Sequence, residues 1–194
     1  MEKIPLVARA REGAARAARS LALILVCVSS GCLVQGNGGV PALNVTSAAF
    51  TLGGEIPVVY TCDGANISPP LTWDAPPGGT KSMAILVTDS DAPGETFVHW
   101  AAYNIPPGTR EIPAGAWGEK VLPAGSLEGM NDFGRPGYGG PCPPRGKPHH
   151  YHFTVYALDT TLNPGGKVDG RMLEAALAGH VLSRGEIVGI YGRR

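Results

Sequence analysis

The side chains most able to do chemistry lie in three short segments of the sequence. Asp89 and Asp91 follow an apolar run, His99 lies inside an apolar segment, and residues 149–152 include three histidines. Two carboxylates two positions apart share a face of a strand, where they could hold a cation or a hydrogen-bond donor. Aspartate at a strand end also builds simple turns, so a purely local role for this pair stays open.

The histidine-rich segment has two different faces if it forms a strand. Alternation places His149 with Tyr151 on one face and His150 with His152 on the other. We expect one face to hold a site and the other to be solvated or to pack locally. His99, alone in an apolar strand, could equally be a hydrogen-bonded core residue.

Metal binding and nucleophilic catalysis are both poorly supported. Imidazole and carboxylate are zinc ligands, but adjacent strand histidines diverge and no His-Glu-x-x-His motif occurs, so we expect neither a metal nor another cofactor. The sequence also lacks a Gly-x-Ser-x-Gly motif. A Cys142/His149 nucleophile pair stays open, although nothing in the sequence requires it.

Strands and loops must position these residues. Short segments rich in β-branched and aromatic residues alternate with Gly/Pro clusters, which predicts a mainly β domain over residues 44–194. The consecutive apolar run 83–87 indicates a central strand covered on both faces. Helical spacing predicts one helix over 171–180. The predicted strands are 48–52, 58–61, 71–73, 82–88, 97–105, 151–158 and 186–191.

The composition narrows the class of partner. The 194 residues include 16 Lys+Arg and 16 Asp+Glu, so the formal net charge is zero and a nucleic-acid partner is not expected. The 28 glycines and 18 prolines show no three-residue period, which excludes collagen. The length suits one domain of ordinary size.

The N-terminal segment has the pattern of a secretory signal. Residues 1–31 carry a basic stretch, then the apolar run 21–28, then small residues directly before Cys32. This apolar run is too short to cross a bilayer, which needs about 20 residues. The pattern resembles a bacterial lipobox and predicts an exported protein of the cell envelope, anchored to the membrane through lipid on Cys32. Residues 32–43 would form a flexible tether. Ordinary secretion with cleavage nearby is the alternative.

Two cysteines remain for the exported domain. Cys27 lies in the signal and Cys32 is the proposed lipid site, which leaves Cys62 and Cys142. In an oxidising compartment a disulfide between them is the economical interpretation. Two free thiols are the alternative.

Taken in order along the chain, these motifs resemble the phosphatidylethanolamine-binding protein family, in particular its bacterial Raf kinase inhibitor-like branch. The resemblance covers about residues 45–192. It rests on YTCDGANISPPLTW at 60–73, DSDAP at 89–93, HW at 99–100, DFG at 132–134, GYGGP at 137–141 and HHYHFTVYALD at 149–159.

The resemblance implies a β-sandwich with a few short peripheral helices and a small anion pocket at one rim. Two positions depart from the family pattern: Ser90 stands in place of a proline, and His150 in place of an arginine. The ligand-binding residues that the motifs imply are Asp89, Asp91, Pro93, His99, Trp100, Gly139, Pro141, His149 and Tyr151.

In such a pocket the imidazoles of His99 and His149, the Tyr151 hydroxyl and backbone N–H groups would donate to anionic oxygens. Asp89 would orient an imidazole and favour its protonated form, and hence anion binding at mildly acidic pH. We therefore expect a non-enzymatic protein that binds a small phosphorylated or carboxylated ligand and modulates another protein. The alternatives are an exported protease inhibitor and a hydrolase.

Overall fold

The computed structural model describes residues 40–116 and 121–193. The predicted signal peptide and Cys32 therefore lie outside the described residues. The elements are β1 Val45–Thr46, a 3-10 helix Val58–Tyr60, β2 Leu71–Trp73, β3 Ser82–Asp89, β4 Phe97–Ile105, β5 Glu111–Ile112, β6 Leu127–Glu128, β7 His149–Leu158, α1 Gly170–Leu177 and β8 Val181–Tyr191.

The strands form two antiparallel sheets. The larger has the order β6-β4-β3-β7-β8 and the smaller the order β1-β2-β5. The central strand β3 pairs with β4 on one side and with β7 on the other. Every residue of β3 except Thr88 is buried, which confirms the covered central strand predicted from the apolar run.

Two apolar cores lie on opposite faces of the larger sheet. One fills the space between the sheets and includes Leu71 and Ile112 from the smaller sheet with Ile85 and Phe153 from the larger. The other contains residues of α1 and the outward-facing residues of β3 and β4. The fold is therefore a mainly β sandwich with a helix on its outer side, as predicted.

The one α-helix of the described residues is α1. Asp169 caps its N-terminus by accepting a hydrogen bond from the Met172 backbone N–H at 2.8 Å. Its buried Leu173 and Leu177 lie four residues apart and so face the same core. The helix ends before the predicted residue 180 because Gly179 adopts φ +81°, outside the helical region.

Two predicted strands are wrong. Residues 58–60 form a 3-10 helix, and 48–52 form a loop whose Phe50 ring packs on Phe153 at 5.3 Å. In 48–52 the packing of Phe50 overrides β-propensity, whereas Val58 and Val59 are exposed and have no neighbouring strand to pair with. The strands β1, β5 and β6, of two residues each, were not predicted because so short a segment carries no alternation.

The end of the predicted tether belongs to the fold. The Leu43 backbone N–H donates to the Arg184 carbonyl at 2.8 Å, and the Arg184 N–H donates to the Pro41 carbonyl at 3.1 Å. The Leu43 side chain is buried in the inter-sheet core. The ordered domain thus begins before residue 44. Across the described ranges, no helix is long and apolar enough to cross a membrane.

Candidate functional site

The candidate site lies at the rim of the larger sheet, where β3 ends and its two neighbours begin. Asp89, the last residue of β3, pairs with Phe97 of β4 and with Tyr151 of β7. Beside it is a cavity of about 190 Å³. It is lined by Asp89, Ala92, Pro93, Phe97, His99, Phe133, Cys142, Pro143, Pro144 and His149.

A β-bulge directs His99 into this cavity. Thr88 pairs with Val98 and Val87 with Trp100, so His99 is an extra residue in β4 without a partner in β3. Its side chain is almost completely buried. His99 Nδ1 lies 2.6 Å from the Gly139 carbonyl oxygen. A carbonyl can only accept, so Nδ1 carries the proton and Nε2 is left for a ligand.

His149 is oriented by a buried carboxylate. Its Nδ1 donates to Asp89 Oδ2 at 2.7 Å, and both side chains are nearly buried. The other oxygen, Asp89 Oδ1, accepts from the Asp91 backbone N–H at 2.9 Å. Asp89 thus fixes the ring of His149, as the sequence led us to expect, and leaves its Nε2 without a partner among the described residues.

Burial has the largest effect on the charge of His99. Desolvation lowers the pKa of His99 and outweighs the opposing effects of the Gly139 carbonyl and the Asp89 charge. Burial therefore favours the neutral form of His99, whose Nε2 is then an acceptor. The expected protonation concerns the imidazole that Asp89 orients, which is His149, and it stays a prediction. Burial also raises the pKa of Tyr151, with the charge of Asp89 adding to the effect.

Tyr151 lies behind His99 rather than on the cavity surface. The two rings meet edge to face at 5.2 Å, and Tyr151 is fully buried. Its hydroxyl is one of the buried polar atoms without a hydrogen-bond partner in the described ranges. Tyr151 therefore supports the His99 ring and does not itself line the cavity.

Aromatic and proline side chains form the apolar wall of the cavity. The rings of Phe97 and Phe133 lie 4.8 Å apart, and Phe133 also lies 5.3 Å from the His99 ring. Outside this wall the Arg135 guanidinium lies over the Phe133 ring, 5.8 Å from its centre. The cavity therefore combines few polar atoms with a hydrophobic wall, as small-ligand sites usually do.

A disulfide holds the loop on the other side of the cavity. Cys62 and Cys142 are bonded, which confirms that interpretation and leaves neither as a free thiol. The Cys62 backbone N–H also donates to the Pro141 carbonyl at 3.1 Å. Gly140 N–H donates to Asn66 Oδ1 at 2.7 Å. These contacts fix the position of 139–144.

The structure separates the nine implied ligand residues into three groups. Asp89, Pro93, His99 and His149 line the cavity, and Tyr151 packs directly against it. Asp91 does not line it: its carboxylate accepts from the backbone N–H and Nδ1 of His150 at 2.8 and 2.6 Å, and these hydrogen bonds lower its pKa.

The third group, Trp100, Gly139 and Pro141, also lies outside the cavity lining. The Trp100 side chain points into the inter-sheet core, where its indole N–H donates to Glu128 at 2.8 Å. Gly139 acts through its carbonyl on His99, and a Cβ there would come within 2.4 Å of the Phe133 ring.

Sequence reasoning missed most of the apolar lining. Phe97 stands two residues before the HW motif and Phe133 is the central residue of the DFG motif, but aromatic residues in strands and loops carry no signal of their own. The lining residues not predicted are Ala92, Phe97, Phe133, Cys142, Pro143 and Pro144. Over the described residues, no group of three or more His, Cys, Asp or Glu side chains is arranged to hold a metal ion.

Comparison with known proteins agrees with the fold and the motifs. The sequence profile of the phosphatidylethanolamine-binding protein family matches residues 46–192. A UPF0098 protein of Pyrococcus horikoshii is 48% identical over 174 residues, which are 88% of this chain and 86% of that protein.

Two solved structures are similar over nearly their whole length. Escherichia coli YbcL, described as a member of the mammalian PEBP family, has a TM-score of 0.74 and 38% identity, covering 78% of this chain and 99% of that one. A PEBP homolog from Chlamydia trachomatis has a TM-score of 0.71 and 35% identity, covering 79% and 99%. The chain belongs to the phosphatidylethanolamine-binding protein family.

Proposed function

We propose that the rim cavity binds a small phosphorylated or carboxylated ligand and holds it without chemical change. The observation that carries this proposal is the pair of nearly buried imidazoles, His99 and His149. Each has its Nδ1 committed to a fixed acceptor, which leaves its Nε2 for a guest. Preorganised polar atoms in an otherwise apolar cavity are typical of ligand sites.

The size of the cavity limits the ligand. About 190 Å³ corresponds to roughly six water molecules at about 30 Å³ each. That space suits a phosphate, a phosphorylated headgroup or a small carboxylate. A complete phospholipid would have to leave its acyl chains outside.

The protonation of His99 narrows the ligand further. A neutral Nε2 accepts a hydrogen bond, so the best guest carries an O–H donor beside its anionic oxygens. Phosphate at neutral pH has both, whereas sulfate has the same shape but no proton. We therefore expect phosphate to bind about tenfold more tightly than sulfate, since an unpaired buried acceptor costs about 1–3 kcal/mol.

Calorimetric titration of the domain with phosphate, phosphoethanolamine, sulfate and acetate tests this function. His149→Ala should abolish phosphate binding. His180→Ala is the matched control, because His180 also donates from Nδ1 to a carboxylate, Asp159, but in an exposed pair. Equal binding of phosphate and sulfate, or loss in both variants, would contradict the proposed site.

A binding role rather than catalysis is supported by the disulfide. Cys142 lines the cavity, but its sulfur is bonded to Cys62, so it cannot act as a thiolate on a guest beside His149. We expect chromogenic phosphate monoesters to compete with phosphate without being hydrolysed. Release of the chromophore by the wild type, but not by His149→Ala, would contradict this expectation.

The location of the protein is part of the same proposal. We propose that the domain lies in an oxidising compartment and is anchored to the envelope membrane through lipid on Cys32. There it would present its ligand to a protein partner or modulate that partner. The disulfide supports export because such bonds persist outside the reducing cytosol. Metabolic labelling with an alkyne fatty acid should mark the wild type and not Cys32→Ala.

A further inference from the structure

A serine, a histidine and a glutamate contact one another in a row on the outer face of the larger sheet. Ser90 Oγ lies 3.1 Å from His152 Nε2, and His152 Nδ1 lies 3.2 Å from Glu186 Oε2. The same Glu186 oxygen accepts from the Thr154 hydroxyl at 3.1 Å. The three groups come from the end of β3, from β7 and from β8.

The carboxylate of Glu186 lies at ion-pair distance from His152 Nδ1, without the alignment of an N–H···O hydrogen bond. In the neutral tautomer that carries its proton on Nδ1, toward this carboxylate, Nε2 has a free lone pair. The Ser90 hydroxyl then donates to Nε2. A hydroxyl on an imidazole with a carboxylate beside its other nitrogen is the arrangement of an activated nucleophile, and such contacts are often loose when no substrate is bound.

The other histidines of the chain lack this arrangement. His149, His150 and His180 each donate from Nδ1 to a carboxylate, but no hydroxyl contacts their Nε2 in the described part of the chain. Four other serine hydroxyls donate to backbone carbonyls, which cannot take up a proton: Ser47, Ser68, Ser82 and Ser183. Ser47, for example, donates to the Pro70 carbonyl at 2.6 Å.

The arrangement is open to a substrate. Ser90 is exposed, and the side chains of His152 and Glu186 are 28% and 43% exposed. A cavity of about 270 Å³ begins at Glu186 and extends along β7 and β8 to Tyr156 and Arg184. This cavity adjoins the cluster at Glu186, and neither Ser90 nor His152 lines it.

We propose that Ser90, His152 and Glu186 form a second site, in which Ser90 is a nucleophile for activated carboxylic esters. Ser90 Oγ forms a bond to the carbonyl carbon while its proton passes to His152 Nε2. The bond from that carbon to the leaving oxygen then breaks, and the leaving oxygen takes the proton from Nε2. Water releases the acyl group from Ser90 by the same steps, with His152 as the base. This site goes beyond ligand binding at the rim.

The test uses two probes on the intact protein: p-nitrophenyl acetate for turnover, and a fluorophosphonate for covalent labelling, with peptide mapping by mass spectrometry. The fluorophosphonate should modify Ser90 at least about tenfold faster than Ser47, which serves as an internal control. A positioned base contributes about 10²-fold or more in enzymes, so His152→Ala should slow both reactions at least about tenfold even at this exposed site. Ser90→Ala should abolish labelling at that peptide.

Two further variants separate the chemistry from folding. Glu186→Gln keeps the shape of the side chain but removes the charge that orients His152, and should slow labelling of Ser90. His180→Ala removes an exposed histidine elsewhere and should change nothing. The proposal would be overturned if the probe labels Ser90 no faster than Ser47. It would also be overturned if His152→Ala keeps the wild-type melting temperature and its Ser90 is labelled at the wild-type rate. Phosphate titration of His152→Ala reports on the rim site independently.

Discussion

Removal of the Cys62–Cys142 disulfide should cost a large part of the stability of the domain. The bond joins residues 80 positions apart. In the chain-entropy model, closing a loop of that length lowers the entropy of the unfolded chain by an amount worth about 4.5 kcal/mol at 25 °C. Cys62→Ala/Cys142→Ala should therefore lower the free energy of unfolding by about that much.

The folded state keeps other contacts that hold the two segments together. The Cys62 N–H to Pro141 carbonyl bond and the Gly140 N–H to Asn66 bond do not involve sulfur. We therefore expect the variant to fold and to lose stability mainly through its unfolded state. For a domain of this size, about 4.5 kcal/mol corresponds to a fall in Tm of about 10 to 18 °C.

Scanning calorimetry of the wild type, the double variant and the phosphine-reduced wild type measures the effect. Reduction and double substitution should give the same fall in Tm, and because Cys142 lines the cavity both should weaken phosphate binding. A fall of less than about 3 °C in both would refute the reasoning, since it would show that the unfolded chain gains little freedom when the bond is absent.

Three other perturbations test separate parts of the structure. Because the pKa of His99 is lowered from 6.5 in the fold, the unfolded chain binds a proton more readily. His99 should thus lower the free energy of unfolding as the pH falls below about 6.5; urea titrations at several pH values should show a shallower dependence in His99→Leu, and an identical one would contradict the burial effect. A Cβ at Gly140 would lie 2.4 Å from the Tyr60 carbonyl oxygen, whereas one at Gly108 meets nothing within 4 Å. Gly140→Ala should therefore cost about 1–3 kcal/mol in chemical denaturation and weaken phosphate binding, with Gly108→Ala near wild type; equal stability of the two variants would refute the close approach. Trp100→Phe removes the hydrogen bond to Glu128 and should cost about 2 kcal/mol while phosphate affinity stays within about twofold; a large loss of affinity would return Trp100 to the binding site.

The main strands could be predicted because their signal is local. The continuous apolar run in β3 reflects a strand buried on both faces, and the alternation in β7 reflects a strand buried mainly on one. Both patterns can be read from the segment itself, without knowing which strands it pairs with. Alternation also predicted that His149 and Tyr151 share a face opposite to that of His150, and the structure shows the first two buried and the third exposed. The segment 58–61 failed because β-branched residues favour strands only where a neighbouring strand is available.

The sequence motifs predicted which residues belong near the site. They did not predict which of these residues line the cavity, because that depends on features outside the motifs. His99 and Trp100 are adjacent in one motif, yet the first faces the cavity and the second lies in the core. The cause is a bulge, which depends on how β4 aligns with β3 and not on the local sequence.

The sequence by itself determined the mainly β class, the covered central strand and the pairing of the two cysteines that remain after the signal, because these follow from periodicity and from residue counts. The sandwich was implied by the resemblance to the family. Tertiary structure alone decided which nitrogen of His99 is free, since its partner Gly139 lies 40 residues away. It also decided that Ser90, His152 and Glu186 meet, because strand register sets contacts between distant segments and no local pattern specifies that register.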